Sequence, residues 1–442
     1  MVKKFKFKQR AVALAAAVML TLGGAAAPAT VHAFDWGDAI GAMIGVTAEY
    51  SMLNDQVNYL DGKGRHEFLQ SMKDKEGVSD DYAANAMLDR VMGRLTTVIG
   101  KEDPKLAEKP YNYFVNNNEN FNAYCTLGHN LSVNIGLFKM LDYNEDEVAF
   151  VVGHELGHGQ KNDPANGVKK TFPLALLAAV AGSQGNMLEA VGANVLANMG
   201  SAKMITLPME KRADVLGFDY ASKAGYNPGA GAALWQRVIE KMGTRKQSFL
   251  GSVFNPSDHP GNEARRDRYA KRMYEFSGDH VAVDKESGAV VVNKKTIGQP
   301  AATSSMSARE RSYTVAGRLA KVYHDQPETV LSASSDGSDL YFGGTRIMRF
   351  TAGDNEAAWV QNLNAAVKPE DDKLLKKKAK EEKEQKEKQE KEAREAKELK
   401  EKQDKKVKQE TKTSSKDTQT KTTFRQRVEA YRAARAAQET NK

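Results

Sequence analysis

Residues His154-Glu155-Leu156-Gly157-His158 constrain this 442-residue chain more than any other stretch. Histidines four apart on an α-helix stand nearly one above the other, about 40° apart around the axis. One helical face then offers two imidazoles to a single metal ion, with Glu155 beside that face and in reach of a metal-bound water. The flanks predict the helix. Asn144 and Glu147 have the N-x-x-E spacing of a cap, and Val148, Val151, Val152 and Leu156 form an apolar stripe. Gly157 in mid-helix costs about 1 kcal/mol against Ala, so it marks a close approach, by the metal site or by a neighbouring backbone.

A catalytic zinc takes three protein ligands and keeps a fourth position for water. The best third ligand is Glu210, in Pro208-Met209-Glu210-Lys211-Arg212-Ala213-Asp214. Pro208 suits the first position of a helix, which is expected to end near Gly225 with Pro228 beyond. Asp214 lies one turn after Glu210, on the same face, and is placed to orient a ligand histidine. The expected set is one zinc per chain on His154, His158 and Glu210. Zinc lowers the pKa of its bound water towards ~7. Glu155 then takes the proton and later delivers it to the leaving amine. The developing oxyanion needs a second donor. His259, in Ser257-Asp258-His259-Pro260, is the candidate, and Arg265 steadies that segment by pairing with a carboxylate.

Upstream, residues 34–108 read as helical: Leu88, Val91, Leu95 and Val98 fall at helical spacing, with Ser79 as the cap. Tyr111–Val115, Asn122–Tyr124 and Leu131–Asn134 read as short strands. A strand-rich unit just ahead of a metal-binding helix suggests a shelf for extended peptide, held by main-chain bonds along a sheet edge. Asn122, Ala123, Ser132 and Val133 are its candidate residues. The apolar stretch 172–199 is interrupted at Gly182-Ser183-Gln184-Gly185, so each half is too short to cross a bilayer, which takes about 18 residues or more. Core helices are expected there, with a membrane- or partner-facing patch as the other reading.

The ordered set Asn122-Ala123, Gly136-Leu137, His154 to His158, Glu210 with Ala213-Asp214, and His259-Pro260 with Arg265 resembles the HtpX-like, prenyl-protease-type zinc metallopeptidases of family M48. The likeness covers residues of about 60–275. It implies a gluzincin peptidase with Glu210 as third ligand and substrate along the Asn122–Val133 edge. In character the chain is similar to the soluble periplasmic, BepA-like members, though it lacks a helical-repeat tail.

The remaining features concern address and surface. Residues 1–33 have the basic start, apolar middle and Val31-His32-Ala33 end of a signal peptide; an uncleaved anchor is the alternative. The net charge of +8 belongs to the tail: residues 366–442 carry 25 Lys and Arg against 17 Asp and Glu. The body between is slightly acidic, which argues against nucleic acid as a partner. The lone Cys125 excludes an intramolecular disulfide and reads as a small buried hydrophobe.

The expected architecture is α+β. A mainly helical zincin domain with a small edge sheet spans 34–275, and an α+β accessory unit spans 276–367. A charged helix and linker follow over 368–423, and a short basic amphipathic helix over 424–442. The expected activity is that of an exported zinc endopeptidase in envelope protein quality control. Its partners are misfolded envelope polypeptides, with weak envelope contact through the tail and no spanning helix in the mature chain. A zinc-stabilised, chaperone-like binding module tethered by its tail is the other reading.

Overall fold

The computed structural model describes residues 54–169, 205–242 and 261–439. The signal segment, the apolar stretch 172–199 and His259 lie outside them.

After a helical stretch over residues 54–61 come two helices, α1 (Arg65–Glu76) and α2 (Tyr82–Glu102). The cap of α2 is Asp81, whose carboxylate accepts from Ala84 N–H at 2.8 Å. Ser79, the expected cap, instead accepts from Asp81 N–H in the preceding turn. A three-stranded sheet follows: β1 (Asn112–Asn116), β2 (Ala123–Thr126) and β3 (Asn130–Asn134), in spatial order β1-β3-β2. β3 pairs parallel to β1 and antiparallel to β2. This order corrects the expected shelf. Ser132 and Val133 sit in the central strand, fully buried, with both sides engaged, so they cannot offer main chain to a peptide. The edge is β2. The carbonyl of Asn122 accepts from Asn134 N–H, so alternate residues face β3 and the main chains of Ala123 and Cys125 face outwards.

After the short α3 (Ile135–Met140) comes α4 (Glu145–Gln160), the helix of the two histidines. Its cap is reciprocal: Asn144 Oδ1 accepts from Glu147 N–H, and Asn144 Nδ2 donates to Glu147 Oε1 at 3.0 Å. Every residue from Glu147 to Gly159 is buried. Helix α4 is therefore a central helix with no solvent face, which the apolar stripe alone does not reveal.

Helix α5 (Leu207–Lys223) crosses α4 backbone to backbone. A Cβ on Gly217 would lie 2.7 Å from the backbone nitrogen of His154, so only glycine permits this approach. Gly157 likewise makes room for a neighbouring backbone: its added Cβ would meet Cβ of Leu216 at 3.2 Å and Cα of Ala213 at 3.4 Å, both on α5. Helices α6 (Ala230–Met242) and α7 (Asn262–Phe276) complete this part.

Residues 281–367 repeat one pattern twice. Strands β4 (Val281–Val283), β5 (Val290–Val292) and β6 (Lys295–Gly298) form an antiparallel meander, followed by α8 (Ala308–Asp325). Strands β7 (Ala333–Ser335), β8 (Asp339–Phe342) and β9 (Thr345–Arg349) do the same, followed by α9 (Glu356–Glu439). Each second hairpin turns on two residues with positive φ, Asn293-Lys294 and Gly343-Gly344, and each shows a register shift at the matching place, Val290/Val291 and Leu340/Tyr341. The sequence suggests one hairpin and two strands here. In the first copy the third strand follows a turn, Asn293-Lys294, without a glycine to mark it. One buried apolar cluster runs from Ala84 through both repeats to Val367, so this unit shares the core of the helices before it.

Helix α9 is 84 residues long. Its first turns are buried at Trp359, Leu363, Ala366 and Val367. Beyond them Asp371 accepts from Leu331 N–H and Lys378 donates to the Glu328 carbonyl. The helix continues through residues 411–423, where composition suggests a linker, with i,i+4 Lys–Glu pairs such as Lys377–Glu381 and Lys380–Glu384 along the charged part. Among the described residues no helix is long and apolar enough to cross a membrane.

Candidate metal centre

The crossing of α4 and α5 brings His154, His158 and Glu210 together, all buried. The Nε2 atoms of the two histidines lie 3.2 Å apart. Glu210 Oε2 is 3.6 Å from His154 Nε2, and Oε1 is 3.4 Å from His158 Nε2. Donors roughly 2.0–2.1 Å from a tetrahedral centre are about 3.3–3.4 Å apart. The spacing is that of three ligands around one small cation.

The other ring nitrogens explain why both Nε2 lone pairs point inwards. His154 Nδ1 is 3.0 Å from Asp214 Oδ1, and His158 Nδ1 is 3.0 Å from Asp163 Oδ2. A carboxylate at Nδ1 holds the proton there and leaves Nε2 as the donor. Arg265 Nη2 also comes within 3.2 Å of His154 Nδ1. Its proton goes to Asp214, at 2.6 Å, because a charged carboxylate is the better acceptor.

Asp214 is the hub of this side. It accepts from Arg265, Arg268 and Tyr269 as well as facing His154. Burial alone would raise its pKa, but the Arg265 guanidinium and the His154 imidazole hold it well below the usual carboxylate range. Arg265 is pushed up in turn: the Asp214 carboxylate outweighs its burial. The flat face of Arg265 stacks over Trp235 at 4.1 Å, which fixes the guanidinium.

Glu155 lies on the sheet side of the three donors, its Oε1 3.9 Å from His154 Nε2. Its Oε2 accepts from Cys125 N–H at 3.2 Å, so the outward-facing edge of β2 positions the carboxylate. Burial raises its pKa, the Glu210 carboxylate adds to this, and the two histidines oppose it. That shift moves a carboxylate towards the range of a general base at neutral pH. The Cys125 thiol is buried and its pKa strongly raised, first by burial and then by Glu155, so it is no nucleophile.

Four residues of the site are not found by the sequence motifs. Asp163 reads as a turn before Pro164, although an acid five places past the second histidine is a usable signal. Arg212, on α5, ion-pairs with Asp163. Arg268 and Tyr269 share the α7 face of Arg265 and are hidden by its generally basic pattern.

A buried His–His–Glu triad with a carboxylate beside it, at the end of a sheet edge, defines a metallopeptidase. Residues 83–273 match the model of peptidase family M48. The chain is 26% identical to the metalloprotease LoiP of Escherichia coli over 180 residues, 41% of this chain and 69% of that protein. It is 25% identical to the beta-barrel assembly-enhancing protease of E. coli over 142 residues, 30% of this chain and 29% of that protein. It is 32% identical to the mitochondrial metalloendopeptidase OMA1 of Arabidopsis thaliana over 148 residues, 33% of this chain and 28% of that protein. The chain thus matches under a third of the length of the latter two.

Proposed function

We propose that this chain is an exported zinc endopeptidase that cleaves misfolded polypeptides in the cell envelope. The observation that carries the reading is the trio of donors at tetrahedral spacing with Glu155 next to it. Two imidazoles and a carboxylate suit zinc, and the Nδ1 carboxylates supply the tautomers it needs. Zinc bound there would supply an acidic water and polarise the scissile carbonyl. Glu155 holds the transferred proton. Ala123, next to Asn122 on the outward edge of β2, pairs with the main chain of an extended peptide. His259 is the proposed second donor to the oxyanion. Export rests on the signal-like residues 1–33, and the envelope role on the named relatives.

Glu155→Gln tests this. It removes the base and no ligand, so zinc content and thermal unfolding stay as in the wild type while kcat on an unfolded protein such as casein falls about 10²–10⁴-fold. Undiminished cleavage would remove Glu155 from the chemistry. Binding of casein by the wild type with no cleavage in either protein would support the chaperone-like reading instead.

The tail gives a second expected outcome. Phe424 and Tyr431 are 70% and 72% exposed and share a helical stripe with Val428, flanked by Arg425, Arg427 and Arg432. With the surplus of basic residues, this suits a salt-sensitive hold on an anionic surface. The contacts of Asp371 and Lys378 put the useful cut after Lys378. The truncated enzyme should keep its zinc and its peptide cleavage, and lose co-sedimentation with anionic vesicles at low salt. Lost cleavage would mean that the arm serves the catalytic body.

A further inference from the structure

The two histidines are held by carboxylates of different origin. Asp214 comes from the partner helix α5. Asp163 comes from the same stretch of chain as its histidine, five residues past His158. A straight continuation of α4 would not bring it there, since residues five apart lie about 140° apart around the axis. The chain instead turns. Lys161 closes α4, and Asn162 takes φ of 50°, a left-handed conformation that asparagine tolerates better than most side chains. The Asn162 carbonyl then accepts from Asn166 N–H and starts a new helical stretch at Asp163. The turn swings the Asp163 side chain back against the His158 ring.

Asp163 is fully buried, with 0% exposure. A buried carboxylate persists only where its partners compensate for lost hydration. Here they are His158 Nδ1 through Oδ2 and the Arg212 guanidinium through Oδ1. Arg212 follows the ligand Glu210 by two residues on α5. One carboxylate therefore joins the end of the histidine helix to the helix of the third ligand.

We infer that Asp163 is a positioning residue of the metal centre. It keeps the His158 proton on Nδ1, aims Nε2 at the shared cation, and is itself locked to α5 by Arg212. The inference rests on the proposed zinc site and concerns this chain's own groups.

The test is zinc affinity, measured by competition with a chromophoric chelator on the full-length protein. Asp163→Asn preserves shape and removes the charge. Zinc binding is expected to weaken about 10–100-fold, the usual loss for an outer partner of a ligand histidine. Asp163→Glu should recover part of it. A folded Asp163→Asn protein with wild-type affinity would overturn the assignment and leave Asp163 as the start of a helix. Absence of zinc binding in the wild type would instead overturn the zinc site itself.

A second measurement needs no variant of Asp163. In the zinc-loaded wild type, long-range ¹⁵N–¹H spectra of the histidines should show two hydrogen-bonded Nδ1 protons in the two zinc-ligating rings, one facing Asp214 and one facing Asp163. Only one such proton would overturn the proposal.

Discussion

A Glu210→Ala variant is expected to lose its zinc and, with it, peptide hydrolysis. The side chain is 4% exposed and sits 3.6 Å from His154 Nε2 and 3.4 Å from His158 Nε2, so no solvent-side group can take its place without rearrangement. Two histidines alone are too few donors for a catalytic zinc. Affinity should fall by more than the ~100-fold typical of an outer partner. The activity kcat/KM should fall at least about 1,000-fold, which is about 4 kcal/mol of transition-state stabilisation. Lys211→Ala on the same turn is the control, since Lys211 is exposed and should leave both quantities unchanged. Metal analysis and casein cleavage on the two purified proteins decide the matter. A Glu210→Ala enzyme that retains stoichiometric zinc would transfer the third-ligand role to another group.

Much of this centre is legible in the sequence, because helical periodicity is a strict geometric constraint. Spacing of four puts His154 and His158 on one face, and the same spacing puts Glu210 and Asp214 on another. What spacing cannot give is the relation between two helices. That depends on the near-contact of Gly217 with the His154 backbone, and a lone glycine in mid-helix does not name its neighbour. Strand order is likewise beyond the reach of local pattern. The alternating residues of β3 fix which side chains point inwards, yet Ser132 and Val133 become central only through pairing with both β1 and β2. Asp163 escapes because Asp-Pro is a turn signal first, and only the left-handed Asn162 shows where that turn sends the side chain. The tandem meanders share backbone geometry, two positive-φ residues and one bulge, with little common side-chain pattern to betray them.

The second large effect lies far from the metal. Arg237 on α6 is 2% exposed and makes a two-pronged contact with Glu147, at 2.9 and 3.2 Å. It also ion-pairs with Glu310 at 2.8 Å and donates to the Ser305 carbonyl at 3.2 Å. Glu147 belongs to the first turn of the histidine helix α4, and Glu310 to the first turn of α8, the helix of the first repeat. A single buried cation thus joins the site helix to the C-terminal unit. Arg237→Met keeps the apolar stem and leaves two buried carboxylates facing each other without a cation. Removing one partner of a buried pair costs about 3–5 kcal/mol, and the Glu147–Glu310 repulsion acts in the same direction. The loss should be read from chemical unfolding midpoints at pH 7.5. It should also shrink as the pH is lowered towards 5. Burial pushes the Glu147 carboxyl up to about 7 even beside Arg237, and without the arginine it is raised further. An acid whose folded pKa is raised keeps its proton in the folded state after the unfolded chain has lost it. The wild type shares part of this shift, so the loss relative to wild type grows as pH rises through the wild-type folded value, about 7, towards the higher value of the variant, and it is relieved on acidification. Adding Glu147→Gln and Glu310→Gln to Arg237→Met should restore most of the stability at pH 7.5. An Arg237→Met protein within about 1 kcal/mol of wild type at that pH would show that the two carboxylates find other partners.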